Sequence, residues 1–171
     1  TVNLLAARIR ADLNCNAAAL LHPGESALQL SRAAIGGAFF LRDDATIDGT
    51  LALTGASIGS IHDDAASWPK HGDLLLNRCL YKAFIGGPVD AASRVDWLSR
   101  QSPERWGEDF WPQPYEQLAT VLQGMGHEDD ARTVLIEKER LQRKVRRERI
   151  HNPLARAVFA IIDGILKVTV A

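Results

Sequence analysis

Two histidines and two aspartates lie close together in the chain and form its most metal-like group of residues. His62, Asp63 and Asp64 are consecutive, and His71 follows within the same stretch, HDDAASWPKH. Imidazole nitrogens and carboxylate oxygens suit zinc or a similar ion. The stretch is predicted to be a polar loop, however, without the i, i+4 spacing with which a helix preorganises two ligands. We therefore predict no metal ligands there.

Nucleophilic side chains are present, but the sequence shows no partners that would activate them. Ser57 and Ser60 do not lie in a G-x-S-x-G nucleophile elbow, and no general base is identified for Cys15 or Cys79. The two cysteines are far apart, which is typical of buried thiols in a reducing compartment rather than of a disulfide framework. We expect Cys79 to be buried.

The acidic residues have simpler explanations than catalysis. Residues 127–130, HEDD, place carboxylates at a predicted helix start, where negative charge is favourable. Glu104, Glu108 and Asp109 fall in a predicted loop. No G-x-G-x-x-G motif follows a strand and opens a helix, so a dinucleotide site is not indicated. The sequence predicts no catalytic residues, no metal and no cofactor.

The composition is that of a folded and nearly neutral chain. Of its 171 residues, 46% are apolar, which is enough for one good core or for a core with a helical appendage. Lysine and arginine number 20 against 21 acidic residues, so the formal net charge is -1. Nucleic-acid binders normally carry a basic excess, and we therefore expect no nucleic-acid partner.

An internal repeat defines the elements that would position any site. Residues 51–61 are LALTGASIGSI, and residues 28–38 are the similar LQLSRAAIGGA. Apolar residues two apart indicate strands, and two such units make a coil of roughly 22 residues, the size of a solenoid repeat. The pattern predicts a β-solenoid domain over residues 1–88. Its expected inward-pointing residues are Leu30, Ile35, Leu53, Ile58 and Leu76.

Small-residue triplets within these units carry a resemblance to a known family. Residues 7–9, 11–13, 45–47 and 56–58 resemble the repeats of the pentapeptide-repeat-like, right-handed β-solenoids of bacteria. More closely, the whole chain resembles a group of bacterial membrane-anchored proteins. In that group, degenerate LxLxGAxIGG coils precede a segment similar to residues 110–140, FWPQPYEQLATVLQGMGHEDDARTVLIEKER.

The resemblance implies a mainly β fold with α-helices, a right-handed parallel β-solenoid capped by a C-terminal helical region. It also implies a membrane-spanning helix downstream of KVTVA. Members of the group are often labelled oxidoreductases, so the resemblance implies that activity as well. The chain departs from the regular repeat at residues 21–27 and 62–73, which we expect to be loops. Thr1 cannot be an initiator, so we expect the natural chain to start upstream.

Residues 89–171 have helical spacing and are predicted to form the cap. A helix is expected at about residues 90–101, and a hairpin of two helices, similar to one tetratricopeptide unit, is expected after Pro114 and after Glu128. An aromatic cluster extends from the first of these helices to the start of the hairpin, and it is either a capping core or a docking surface. Its members are Trp97, Trp106, Phe110, Trp111 and Tyr115.

The second hairpin helix ends in a strongly basic run followed by an apolar tail. Residues 138–149 contain seven basic side chains and two acidic ones, and residues 154–166 supply an apolar face. A basic cluster beside an apolar segment is typical of a surface that binds anionic membranes or a partner. The candidate residues are Arg140, Arg143, Lys144, Arg146, Arg147, Arg149, Val158, Phe159, Ile162 and Ile165.

These observations give one functional hypothesis and one alternative. The chain is expected to be a non-enzymatic, membrane-tethered β-solenoid scaffold or protein-interaction module. It would lie on the cytoplasmic side of the inner membrane, anchored by a downstream span and able to form a homo-oligomer. The alternative, implied by the resemblance, is a membrane-associated oxidoreductase.

Overall fold

Short parallel strands stack into a β-solenoid of about three turns, which is followed by three α-helices. The computed structural model of the chain describes residues 1–151. Within them the strands are β1 (Val2–Asn3), β2 (Arg8–Ile9), β3 (Leu13–Asn14), β4 (Ala19–Gln29), β5 (Ala34–Leu41), β6 (Thr46–Ala52), β7 (Ser57–Asp63), β8 (Leu74–Leu75) and β9 (Leu80–Tyr81). The predicted fold class is confirmed.

The strands form two parallel sheets, which are two sides of the solenoid. Sheet A has the order β1-β4-β6-β8, and sheet B has the order β2-β5-β7-β9, with β3 also paired to β5. Consecutive coils are in register: Leu28 pairs with Leu51, and Leu51 pairs with Leu74. The repeat in this part of the chain is therefore 23 residues, close to the coil length that the sequence predicts.

The solenoid core consists of columns of equivalent side chains, one from each coil. All five residues predicted to point inward have at most 2% of their surface exposed. Leu30, Leu53 and Leu76 form one column, and burying each such side chain contributes about 1.5–3 kcal/mol. Cys79 occupies the position that alanine holds in the two preceding coils and is buried as expected. Each coil thus covers the apolar side chains of the next.

The two predicted loops within the solenoid differ from the structure. Residues 21–27 stay in β4 as a bulge, in which Leu21 to Leu28 of β4 face only Asp48 to Leu51 of β6. The bulge is possible because Gly24 adopts a φ of 78°. In the second segment, His62 and Asp63 still belong to β7, and the loop starts only at residue 64. The prediction of loops was wrong for residues 21–27, because strand pairing resumes on both sides of the insertion, and for His62 and Asp63, which pair with Phe40 and Leu41. It was right for residues 64–73.

The three helices are α1 (Ala91–Ser99), α2 (Gln113–Gly124) and α3 (Glu128–His151). Asp90 begins α1 by accepting a hydrogen bond from the Ser93 N–H at 2.9 Å. Gly126, with a φ of 85°, turns the chain between α2 and α3. The helices lie close to the predicted positions, and the last two form the expected hairpin.

Glutamine side chains attach the helices to the last coil of the solenoid. Gln101 accepts a hydrogen bond from the Leu76 N–H at 3.2 Å, and Gln113 accepts one from the Arg78 N–H at 2.7 Å. Gln117 donates to the Tyr81 carbonyl at 2.7 Å. These contacts satisfy backbone groups that a further coil would otherwise pair, so the helical region caps the open sheet edge.

Candidate functional site

The residues of the suspected metal group have separate structural roles. Asp63 is 2% exposed and accepts two hydrogen bonds from the Arg94 guanidinium, both at 2.7 Å. It also accepts one from the Trp68 indole N–H at 2.8 Å. Arg94 itself is fully buried and lies 3.5 Å from the centre of the Phe84 ring. Asp63 is therefore the buried counterion of an arginine that joins α1 to the solenoid.

The other three residues of that group also point to different partners. Asp64 caps a short 3-10 helix by accepting a hydrogen bond from the Ser67 N–H at 2.8 Å. Burial alone would raise the pKa of its carboxyl, but hydrogen bonds from Ser67 and from the Asp43 N–H lower it. His62 stacks on Phe40, and His71 lies 3.9 Å from Asp96. Among residues 1–151, no three histidine, cysteine or acidic side chains are placed to hold a metal ion together.

Ser60 and His62 form a pair that the sequence analysis missed. The Ser60 hydroxyl lies 3.2 Å from His62 Nε2, within hydrogen-bond distance. The sequence could have indicated this pair, because residues two apart in a strand share a face. A nucleophile and base of this kind also need a group that orients the imidazole, and the described part of the chain places Phe40, not a carboxylate, against the ring. The pair lacks the third member of a catalytic triad.

The two cysteines are both buried thiols. Burial raises the pKa of Cys15, and it raises the pKa of Cys79 to about 12. A reactive cysteine needs a lowered pKa and access to solvent, so neither thiol has the properties of a nucleophile.

The basic residues predicted to form an interaction surface lie along the exposed side of α3. Arg140, Lys144 and Arg149 have acidic neighbours within the described chain, namely Glu137, Glu148 and Asp109 respectively. Arg143 and Arg146 make no ion pair with a described residue, and both are exposed. We call the six basic residues Arg140, Arg143, Lys144, Arg146, Arg147 and Arg149 the basic surface. At 100° per residue, their side chains cover about 220° of the helix circumference.

The remaining predicted residues, Val158, Phe159, Ile162 and Ile165, lie outside the described residues. Within residues 1–151, none of the helices combines the length and the hydropathy that crossing a bilayer requires.

The aromatic cluster divides into a buried part and an exposed part. Trp97, Trp111 and Tyr115 are at most 8% exposed and belong to the cap, which agrees with a capping core. Trp106 is 63% exposed, which agrees with a docking surface. The capping-core interpretation therefore holds for the buried residues, and the docking surface stays a prediction for Trp106.

Trp106 and Trp111 lie over the outer face of sheet A and form the walls of a groove. Trp111 packs on Ala52 and Leu75, which form the floor. Two adjoining cavities, of about 340 and 210 Å³, share Gln29, Ala52, Leu75 and Trp106. The two cavities therefore adjoin, and we call the depression that they form the tryptophan groove.

Comparisons with other proteins found no counterpart: no family model matches the chain, and neither curated proteins nor solved structures contain a match.

Proposed function

We propose that this protein is a non-enzymatic β-solenoid scaffold that binds a protein partner while held at the cytoplasmic face of a membrane. Two exposed surfaces support the proposal, the tryptophan groove on the solenoid and the basic surface on α3. The side chains with catalytic potential support it as well. Asp63, Asp64 and Cys79 serve the fold, and no acid among residues 1–151 is placed to orient His62 beside Ser60.

The observation that carries the proposal is the concentration of basic charge on one end of a nearly neutral chain. Residues 138–149 have a local excess of five positive charges, whereas the whole chain has a formal net charge of -1. Only part of this charge is neutralised within α3, since Arg143 and Arg146 make no ion pair with described residues. Each basic group near an anionic leaflet contributes about 1 kcal/mol.

Cosedimentation with lipid vesicles tests the membrane role. We expect the protein to bind vesicles containing phosphatidylserine and to bind phosphatidylcholine vesicles much less. High salt should release it, because exposed charges farther apart than about 10 Å are screened at 0.1 M ionic strength. The double variant Arg143→Glu, Arg146→Glu should weaken binding by at least about thirtyfold, since two contacts of about 1 kcal/mol are lost and like charges repel the leaflet.

Arg132→Glu is the matched control, because Arg132 is also exposed on α3 but lies at its other end. It should bind anionic vesicles like the parent protein. Equal binding of the parent to both lipids, or an equal loss in Arg132→Glu and the double variant, would overturn the membrane role of the basic surface.

The non-enzymatic part of the proposal has its own test. An oxidoreductase that uses a flavin or a nicotinamide would copurify with cofactor absorbance or would change its spectrum on titration with the cofactor. We expect neither in the purified protein, and a saturable spectral change would overturn this part of the proposal.

A further inference from the structure

We infer that the tryptophan groove binds a proline-rich segment of the partner protein in the polyproline II conformation. The inference rests on the proposed function and identifies the class of ligand for the scaffold. Polyproline II segments bind in grooves lined by aromatic side chains, where they use a backbone conformation that they already populate when free. Four features of the groove fit this ligand: its walls, its hydrogen-bond donors, its dimensions and its charge.

The Trp106 side chain provides the accessible apolar surface of the groove, without a deep pocket. Trp106 is exposed and lines both cavities, whereas Trp111 is buried and lines only the larger one. The floor is made by Ala52 and Leu75, which point outward from sheet A and are covered by Trp111. Proline rings are compact and rigid, so they can pack on the exposed Trp106 ring with little loss of side-chain entropy.

Polar side chains beside the floor supply hydrogen-bond donors. Ser31, Thr54 and Asn77 occupy equivalent positions in successive coils and line the larger cavity. The Gln29 Oε1 atom accepts a hydrogen bond from the Ser31 N–H at 3.0 Å, which leaves the amide NH₂ of Gln29 to donate. A proline-rich backbone has few N–H groups and many free carbonyls, and it therefore needs donors from its binding site.

The dimensions of the groove favour an extended segment over a helix or an added strand. From Thr50 to Thr54 the groove follows sheet A for about 13 Å at 3.3 Å per residue, a distance that four residues of polyproline II span at 3.1 Å each. An amphipathic helix docks through a broad apolar face, whereas the one large apolar side chain exposed among the described residues that line this groove is Trp106. An added strand needs a free sheet edge, whereas the groove lies on the face of the sheet.

An acidic side chain at the groove adds charge selectivity. Glu108 lines the larger cavity, is exposed and makes no ion pair with a described residue. A lysine or arginine that flanks the proline-rich segment would find a counterion there. We therefore expect the preferred ligand to carry a basic residue beside its prolines.

A peptide titration with the full chain tests the inference. The probe is a fluorescently labelled peptide with a Pro-x-x-Pro core and a flanking arginine, and binding is followed by anisotropy. The comparison peptides are one with alanine in place of every proline and one with glutamate in place of the arginine. We expect saturable binding of the first peptide and at least tenfold weaker binding of the other two.

Substitutions in the groove locate the site. Trp106→Ala should weaken binding at least tenfold without unfolding the protein, because Trp106 is 63% exposed. Glu108→Lys should weaken binding of the arginine peptide and improve binding of the glutamate peptide, a charge swap that a general loss of structure cannot produce. Ile136→Ala, at an apolar position 64% exposed on α3, is the matched control and should bind like the parent.

The inference is overturned if the arginine peptide does not bind at about 1 mM, if Trp106→Ala binds it as well as the parent, or if the alanine peptide binds equally. Preferential binding of a neutral oligosaccharide by the same residues would also overturn it. Vesicle binding through α3 is measured separately. A failed peptide titration with intact vesicle binding would therefore reject the ligand and not the membrane role.

Discussion

Arg94 is the largest fully buried side chain in the described structure, and its environment explains how a charge is tolerated there. Asp63 provides the opposite charge, and the Phe84 ring lies against the flat face of the guanidinium. The Arg94 Nε donates to the Pro88 carbonyl at 2.7 Å. The pair connects the end of β7 with α1, so it holds the cap on the solenoid with a defined geometry.

We predict that Arg94→Met lowers the free energy of unfolding by about 3–5 kcal/mol, because the Asp63 carboxylate would remain buried without its counterion. Urea denaturation followed by circular dichroism measures the change. Arg132→Met is the control, since Arg132 has an exposed ion pair with Asp129 that contributes little. Similar losses in the two variants would contradict the role of the buried pair.

Cys79 is expected to make stability depend on alkaline pH. Burial raises its pKa from 9.0 to about 12, so the folded protein resists a deprotonation that the unfolded chain undergoes. A raised pKa gives a stability contribution that is complete below pH 9 and is lost as pH rises from about 9 toward 12. Cys79→Ala fits the alanine positions of the two preceding coils and should reduce this alkaline loss.

The measurement is urea denaturation of parent and Cys79→Ala at a series of pH values from neutral to alkaline. Cys15→Ala serves as the comparison, because burial also raises the pKa of the Cys15 thiol but Cys15 is 9% exposed against 1% for Cys79. If Cys79→Ala and the parent lose stability in parallel above pH 9, the alkaline dependence arises from other groups.

At the scale of elements, α2 replaces the strand that a further coil would have supplied. Gln113 bonds both the Arg78 N–H and the Cys79 carbonyl, and Gln117 bonds the Tyr81 carbonyl. The two side chains are one helical turn apart, so a single helix face reaches successive backbone groups of the last coil. Leu118 and Leu122 on the same helix are fully buried and provide the apolar part of the contact.

Gln117→Leu should lower the free energy of unfolding by about 1–3 kcal/mol, because it leaves the Tyr81 carbonyl without its donor. Thermal or urea denaturation measures the loss. Gln123→Leu provides the matched control, since Gln123 lies on α2 and is exposed. A stability of Gln117→Leu equal to that of Gln123→Leu would show that the side-chain hydrogen bond to the last coil is dispensable.

Much of the solenoid could be predicted because its information is local and repeated. Leu30, Leu53 and Leu76 recur at a fixed spacing, so their burial follows from period and alternation alone. The bulge at residues 21–27 could not be predicted, because polar residues inside a strand resemble a loop until the pairing on both sides is known. Asp63 and Arg94 are 31 residues apart in the chain, and their pairing depends on how α1 meets the solenoid.

The two candidate surfaces also differ in how far the sequence could predict them. The basic residues of α3 were predictable because a charged run keeps its spacing on a helix whatever the helix contacts. The tryptophan groove was only partly foreseen, as an aromatic cluster with two interpretations. Trp106 and Trp111 are five residues apart, and the left-handed Gly107, with a φ of 74°, lies between them and helps to direct one outward and one onto sheet A.

For the whole molecule, these contacts predict that solenoid and cap unfold together. A solenoid coil is stabilised by its neighbours, and the last coil of this one has the helical cap as its neighbour. The glutamine contacts and the Asp63–Arg94 pair connect the two parts through both backbone and buried charge. The core itself is continuous, since Leu76, Trp97 and Leu118 belong to one cluster of buried residues.

We therefore expect one unfolding transition in the full chain. Tryptophan fluorescence reports mainly on the cap, which contains three of the four tryptophans, while Trp68 lies in the solenoid. Far-ultraviolet circular dichroism reports on strands and helices together. The two signals should give the same urea midpoint, and Arg94→Met should shift both by the same amount because it removes a contact between the two parts. A fluorescence midpoint clearly below the dichroism midpoint in the parent would mean that the cap detaches first. The buried arginine would then stabilise the cap without coupling it to the solenoid.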